Sequence, residues 1–237
     1  MSVINVQNLT RDYGSGKGEH MVTIYAAYTG NLPDPALHPE LLEELGVERR
    51  EKTLGYRLPE DRKLSLGAGL LQREIFSRYH VEPSSLYEGV NGKPLSKEIC
   101  FSLSHSGEQV ILAVSEDEVG CDIEKQGEAR TSIAKRFFTT GEQKFLESFS
   151  TEEERDKAFL RLWTARESYM KMTGEGMRLP LREFEARLWE PGRQVIYREG
   201  HLESCYWKEY ELPGYQIALC SRRKEAGELE VIHLEWG

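Results

Sequence analysis

The sequence predicts an α+β fold, on two observations. Two segments carry apolar residues at helical spacing, at Leu64–Tyr79 and at about Thr151–Met172. Between them, and again after the second, short β-rich runs alternate with turn residues. Each half therefore mixes a small antiparallel sheet with helices, an α+β pattern.

The first twenty residues are polar and glycine-rich, and Met21 opens an apolar run, MVTIYAAYTG. Residues 1–20 therefore read as an N-terminal extension or leader, with Met21 a candidate start. In LSLGAGLLQREIFSRY, residues Leu66, Leu70, Ile75, Phe76 and Tyr79 step near the helical period and define a core helix. Asn91–Pro94 (NGKP) is turn chemistry. CFSLSHSGEQVILAVSEDEVGCDIEK then reads as strand, polar turn, strand, turn, strand, with Val110–Val114 the clearest strand interior. Thr131–Phe138 and a segment beginning at Thr140 are helical, the second with acidic residues in its first turn. The long helix carries an apolar stripe of Ala158, Leu162, Ala165, Tyr169 and Met172 and stops at Gly174. Strands follow at 184–188, 194–197, 205–210, 216–220 and 228–234.

At 237 residues with 39% hydrophobic residues, the chain can fill one large domain or two of about 110 residues. Its net charge of −9, from 40 acidic and 31 basic residues, argues against non-specific nucleic-acid binding, which needs a basic surface. No run approaches the roughly 20 apolar residues that span a bilayer, so no membrane partner is expected. Cys100, Cys121, Cys205 and Cys220 are too scattered for a metal staple, and reduced thiols in a cytoplasmic protein are expected. GSGKG at 14–18 lacks the spacing and the strand–helix context of a phosphate loop.

Four short motifs carry candidate chemistry. In GCDIEK, Asp122 and Glu124 lie two apart on a strand and share a face, with Ile123 turned inward. Two adjacent carboxylates either neutralise a hard cation or form a solvated edge. Glu167 and Lys171 lie four apart on the long helix and are neighbours on one face, the usual arrangement of a surface ion pair. His105, in SHSG, either donates to a phosphate or bonds its own loop. Lys93, in GKP, is a fixed cation or a solvated one.

The order and spacing of these motifs are more specific than any one of them. NGKP (91–94), SLSHSG (102–107), VGCDIEK (119–125), AKRFFTTGE (134–142) and RLWTARESYMKMTGEGMRLPLREF (161–184) together resemble the surfactin-type 4′-phosphopantetheinyl transferases. The resemblance implies a pseudo-dimer of two similar α+β subdomains in one chain, dividing near Glu118 into halves 21–118 and 119–237. It implies a cleft for coenzyme A between the halves and a monomer that moves phosphopantetheine to a serine of an acyl or peptidyl carrier protein. Asp122, Glu124 and Glu167 match the family's metal carboxylates, for Mg²⁺ or Mn²⁺, and Lys171 its catalytic lysine. Glu167 and His105 share the catalytic set. Lys93, Pro94, Ser104, His105 and Lys171 match coenzyme A contacts, as do Arg49 and Lys52 in a looser alignment, with Lys63 a further basic candidate. The carrier would dock around Phe137–Phe149 and the loop 173–182. Where the family often has lysine, this chain has Arg166. The alternative is a homologue that binds coenzyme A or a carrier without transferring anything.

Overall fold

A computed structural model describes residues 4–7, 22–89, 91–127, 131–190, 195–222 and 226–236. In chain order the strands and helices are β1 (Ile4–Gln7), β2 (Val22–Tyr28), α1 (Val47–Gly55), α2 (Pro59–Arg78), β3 (Leu86–Glu88), β4 (Pro94–Ser96), β5 (Cys100–Ser106), β6 (Gln109–Ser115) and β7 (Val119–Lys125). They continue with α3 (Thr131–Phe137), α4 (Thr140–Glu147), α5 (Glu152–Thr173), β8 (Phe184–Arg187), β9 (Val195–Arg198), β10 (His201–Leu202), β11 (Tyr206–Leu212), β12 (Tyr215–Ser221) and β13 (Ala226–Trp236). The fold is α+β.

Two sheets pack face to face, each with one long helix on its outer side. The first runs β1-β13-β2-β6-β5 and the second β11-β12-β7. Strand alternation builds the layers. From β2 and β6, Tyr25, Ala27, Val110, Leu112 and Val114 turn toward α2, where Leu66, Leu70, Leu71 and Ile75 bury completely. Their neighbours Val22, Ile24, Ala26, Ile111 and Ala113 turn the other way and meet Val119, Cys121, Ile123, Ile217 and Leu219 of the second sheet. The far side of that sheet is covered by α5, whose five predicted stripe residues are all buried.

Local signals fix the helix ends. Pro59 opens α2 with Glu60 and Asp61 in its first turn, a start the apolar spacing alone placed five residues late. Thr139 and Thr151 cap α4 and α5, each in a reciprocal box with the glutamate three residues on. Gly174 ends α5 at φ 71°, a left-handed cap. The helix α1 was not anticipated, because among its nine residues only Thr53 is buried and no apolar stripe marks it.

Strand β13, which the expected division places in the second half, lies in the first sheet, parallel to β2. Residues 4–7, inside the segment read as an extension, pair with β13. The polar turn expected at SHSG is shorter than anticipated: Ser104 and His105 lie within β5, and only Gly107 (φ 58°) and Glu108 separate Ser106 from its partner Gln109.

At Gly120 the backbones of β7 and α5 touch. A Cβ there would collide with backbone atoms of Ser168, Lys171 and Met172. Since backbone cannot rotate out of the way, Gly120→Ala should cost about 1–3 kcal/mol, the usual range for overpacking. Urea denaturation checks this, and an unchanged midpoint would mean that the two elements are not held in this contact.

Candidate active site

A cavity of about 550 Å³ opens between α1, α2 and the 91–94 turn on one side and β5, β7 and the end of α5 on the other. Its walls differ in charge. Arg49 and Lys52 from α1 line one side, while His105, Asp122, Glu124 and Lys171 line the other. Lys93, Pro94 and Ser104 also line it. Lys63 does not: it sits on α2, with Nζ directed to the Gly30 carbonyl at 3.5 Å.

The serines of SLSHS explain how the carboxylates are held. Ser102, Ser104 and Ser106 alternate along β5 and so face one way, toward β7. Ser102 Oγ accepts from Cys121 N at 3.1 Å, and Ser106 Oγ accepts from Lys125 N at 3.1 Å. Between them Ser104 Oγ donates to Asp122 Oδ1 at 2.8 Å. Side-chain hydroxyls thus stitch the two sheets together beside the cavity, where backbone pairing stops.

Asp122 and Glu124 lie on the face of β7 opposite Ile123, which is 1% exposed in the inter-sheet core. Lys171 Nζ donates to Asp122 Oδ1 at 2.6 Å and to Ser104 Oγ at 2.8 Å, closing a three-membered cluster. The second carboxylate oxygen of Asp122 is buried with no hydrogen-bond partner. Burial works against the charge on Lys171, but Asp122, Cys121 and Glu167 together outweigh it and its affinity for a proton is raised. Glu124 accepts from Ser106 Oγ at 3.1 Å and from Trp163 Nε1 at 3.2 Å. Trp163 is itself fixed by stacking on Phe159 at 6.2 Å and 7° between planes.

Glu167 lies one turn before Lys171 on α5. Burial, then repulsion from Asp122, push its carboxyl up to about 7, with Glu124 adding to the effect. Among the described residues no three His, Cys, Asp or Glu side chains are gathered into a group that could hold a metal ion. The three carboxylates therefore interact electrostatically without forming a closed cage. Burial and the nearby cations Lys171, Lys52 and Arg49 push His105 below its usual range, leaving it neutral near pH 7.

The Lys93 ammonium is not directed at the open cavity: it donates to backbone carbonyls of β7 and α5. Arg166 points away from the cavity altogether and pairs with Glu142, both side chains fully buried. Other cavity residues went unread in the sequence, including Tyr56, Asp61 and Gln72. Of these Gln72 has a visible task, accepting from Arg49 Nη2 at 3.1 Å. A signal for the serine stitching was present in the period-two hydroxyls of SLSHS.

Residues 118–220, from the start of β7 to the end of β12, match the 4′-phosphopantetheinyl transferase superfamily. The chain is 34% identical over 212 residues to the 4′-phosphopantetheinyl transferase ffp of Bacillus subtilis, covering 86% of this chain and 94% of that one. The chain belongs to the 4′-phosphopantetheinyl transferase superfamily. Two further members are similar over most of their length. Sfp of Bacillus subtilis strain 168 is 32% identical, covering 86% of this chain and 94% of Sfp. Psf-1 of Bacillus pumilus is 35% identical, covering 81% and 85% respectively. The matched region of this transferase contains Asp122, Glu124, Glu167 and Lys171, whereas Arg49, Lys52 and the 91–94 turn precede it. No helix among the described residues is long and apolar enough to cross a membrane.

Proposed function

We propose that this transferase moves the phosphopantetheine group of coenzyme A to the serine of an acyl or peptidyl carrier protein, converting it from apo to holo and releasing 3′,5′-ADP. The observation that carries this reading is the Asp122–Lys171–Ser104 cluster on one side of a cavity whose other side is basic. A ligand with phosphates at separated positions fits such a site: one anionic group on Arg49, Lys52 and His105, the others facing Lys171 and Ser104.

The donor chemistry of the carboxylates suits a divalent cation, although as placed here they are not drawn into a ligand group. Asp122, Glu124 and Glu167 offer only oxygen, the donor set of Mg²⁺ or Mn²⁺ and not of zinc. Asp122 Oδ2 is buried and unpartnered, and the proton affinity of Glu167 is raised by burial and then by the two other carboxylates. Both features mark negative charge awaiting a counter-charge. Bound there, the ion would neutralise the pyrophosphate and stabilise the leaving 3′,5′-ADP.

The protein's own groups do the rest by positioning and electrostatics. Lys171, kept charged by Asp122, holds a phosphate oxygen of the group in transfer. Ser104 orients both side chains. The carrier serine attacks the β-phosphorus in line, and the bond to the departing 3′,5′-ADP oxygen breaks. Glu167, or a water it orients, receives the serine proton. His105, held below its usual range by burial and the nearby cations, donates a ring N–H to the incoming phosphate. One chain supplies both walls, so a monomer, placed in the cytoplasm, suffices.

The carrier docks on the second half, near α3, α4 and the loop 173–182. Of the aromatics there, Phe138 is buried and Phe137, Phe145 and Phe149 pack partly against the core, so the exposed polar residues between them make the contact. Incubation with an apo carrier, coenzyme A and Mg²⁺ should release 3′,5′-ADP, measured by ion-exchange chromatography, only when all three are present. Coenzyme A binding without ADP release, across carrier classes, would favour the non-catalytic homologue instead.

A further inference from the structure

An α-helix leaves its last four carbonyls without intrahelical donors, and the partial negative charge gathered there favours a cation. In α5 these carbonyls belong to the turn that carries Lys171. Met170 O is served from nearby, by Gly174 N at 3.1 Å and the Thr173 hydroxyl at 3.2 Å. Two of the carbonyls beyond it, with that of the cap residue Gly174, are served from the first part of the chain. Lys93 Nζ donates to Lys171 O at 2.6 Å and reaches Met172 O at 3.5 Å, while Asn91 Nδ2 donates to Gly174 O at 2.8 Å. The same ammonium donates to Val119 O, at the start of β7, at 3.2 Å.

An ammonium has three donors and no acceptor, so three carbonyls saturate it. The stem of Lys93 runs beside Gly174, where a Cβ would stand 3.6 Å from Lys93 Cδ. Next to this point Gly120 brings the backbones of β7 and α5 into contact. The β3–β4 turn therefore grips the junction of the two elements that carry Asp122, Glu124, Glu167 and Lys171.

We propose that Lys93 is a positioning residue: a helix cap, shared with Asn91, that holds the last turn of α5 against β7 and thereby seats Lys171 on Asp122. It takes this role in place of the phosphate contact implied by the family resemblance, because its donors are already engaged. Since the 91–94 turn also lines the cavity, a nucleotide resting on that turn bears on the same latch. The kinetic part of this inference rests on the transferase reading above; the structural part does not.

Lys93→Met keeps the stem and removes the donors. Its kcat should fall about 10- to 100-fold, the scale of loss when a catalytic group is misplaced. Its KM for coenzyme A should change by less than about threefold, because no ground-state contact is lost. The effect should be the same with 3′-dephospho-coenzyme A. Hydrogen–deuterium exchange in the last turn of α5 should rise by about tenfold as that turn loses its cap. A KM raised about tenfold with kcat preserved would overturn the proposal in favour of a phosphate contact, as would wild-type exchange together with wild-type kcat. Should Lys93→Met fail to fold, the exposed Asn91→Ala carries the test: faster exchange in the same turn supports the cap, and unchanged exchange overturns it. If the parent protein modifies no carrier while the exchange results hold, the reaction assignment fails and the cap stands.

Discussion

Asp122→Ala should lower transfer about 10²- to 10³-fold at saturating Mg²⁺, the usual cost of removing one preorganised electrostatic group from a site where charge develops. The mutation removes a buried carboxylate, 4% exposed, that accepts from both Lys171 and Ser104. Lys171 loses the partner that keeps it charged and in place, and the proposed cation site loses a ligand. Binding of coenzyme A should behave differently. In EDTA, where no ion screens Asp122 from the pyrophosphate, the alanine variant should bind coenzyme A at least as tightly as the parent, since a repulsive charge is gone. Isothermal titration with and without Mg²⁺, beside steady-state assays, separates the two effects. Parent-like turnover at saturating Mg²⁺ would remove Asp122 from the site.

The largest stability effect should come from Arg166→Ala. Arg166 and Glu142 are each 0% exposed, and Nη1 donates to both carboxylate oxygens at 2.7 Å. Nη1 also donates to Phe184 O at 3.0 Å, and Nη2 donates to Leu181 O and, at 3.4 Å, to Phe137 O. The guanidinium stacks over Phe184, 4.2 Å from the ring centre. Burial already pushes the Glu142 carboxyl up despite the neighbouring Arg166. Removing the arginine leaves that carboxylate and three carbonyls without their partner, which should cost about 3–5 kcal/mol, a large share of a typical 5–15 kcal/mol total. Arg166→Lys keeps the charge but loses the forked geometry and should fall between. Glu142→Leu combined with Arg166→Met should recover much of the loss, because no uncompensated buried charge remains. Urea melts of the four proteins test this. A midpoint for Arg166→Ala equal to that of the parent would show that the pair is solvated rather than buried.

Arg166 also marks the limit of what the sequence discloses. A charged residue on an amphipathic helix reads as surface, and nothing local announces that Glu142, 24 residues away, arrives beside it inside the core. The features set by short periods were legible. Alternation along β7 put Ile123 in the inter-sheet core and Asp122 and Glu124 on the other face. The four-and-three steps of α5 put Ala158, Leu162, Ala165, Tyr169 and Met172 inside, and Gly174 ended the helix.

What depends on tertiary pairing was not legible. Strand β13 has ordinary β composition, and only the assembled sheet shows that it lies beside β2, about two hundred residues earlier. The helix α1 lacks a stripe because it covers the cavity rather than the core. Lys93 looked like a phosphate ligand by its place in GKP, and its carbonyl partners become visible only when α5 ends next to it. Ordered motifs thus identified the chemistry, while the supports of that chemistry came from contacts remote in sequence.

The most direct test of the central claim is intact-mass spectrometry of an apo carrier protein incubated with this chain, coenzyme A and Mg²⁺. Parallel samples contain EDTA or a carrier whose acceptor serine is replaced by alanine. The account predicts a gain of one phosphopantetheine group on the intact carrier, absent from both controls. Unmodified carriers of fatty-acid, polyketide and nonribosomal-peptide type, with coenzyme A demonstrably bound to the protein, would contradict it.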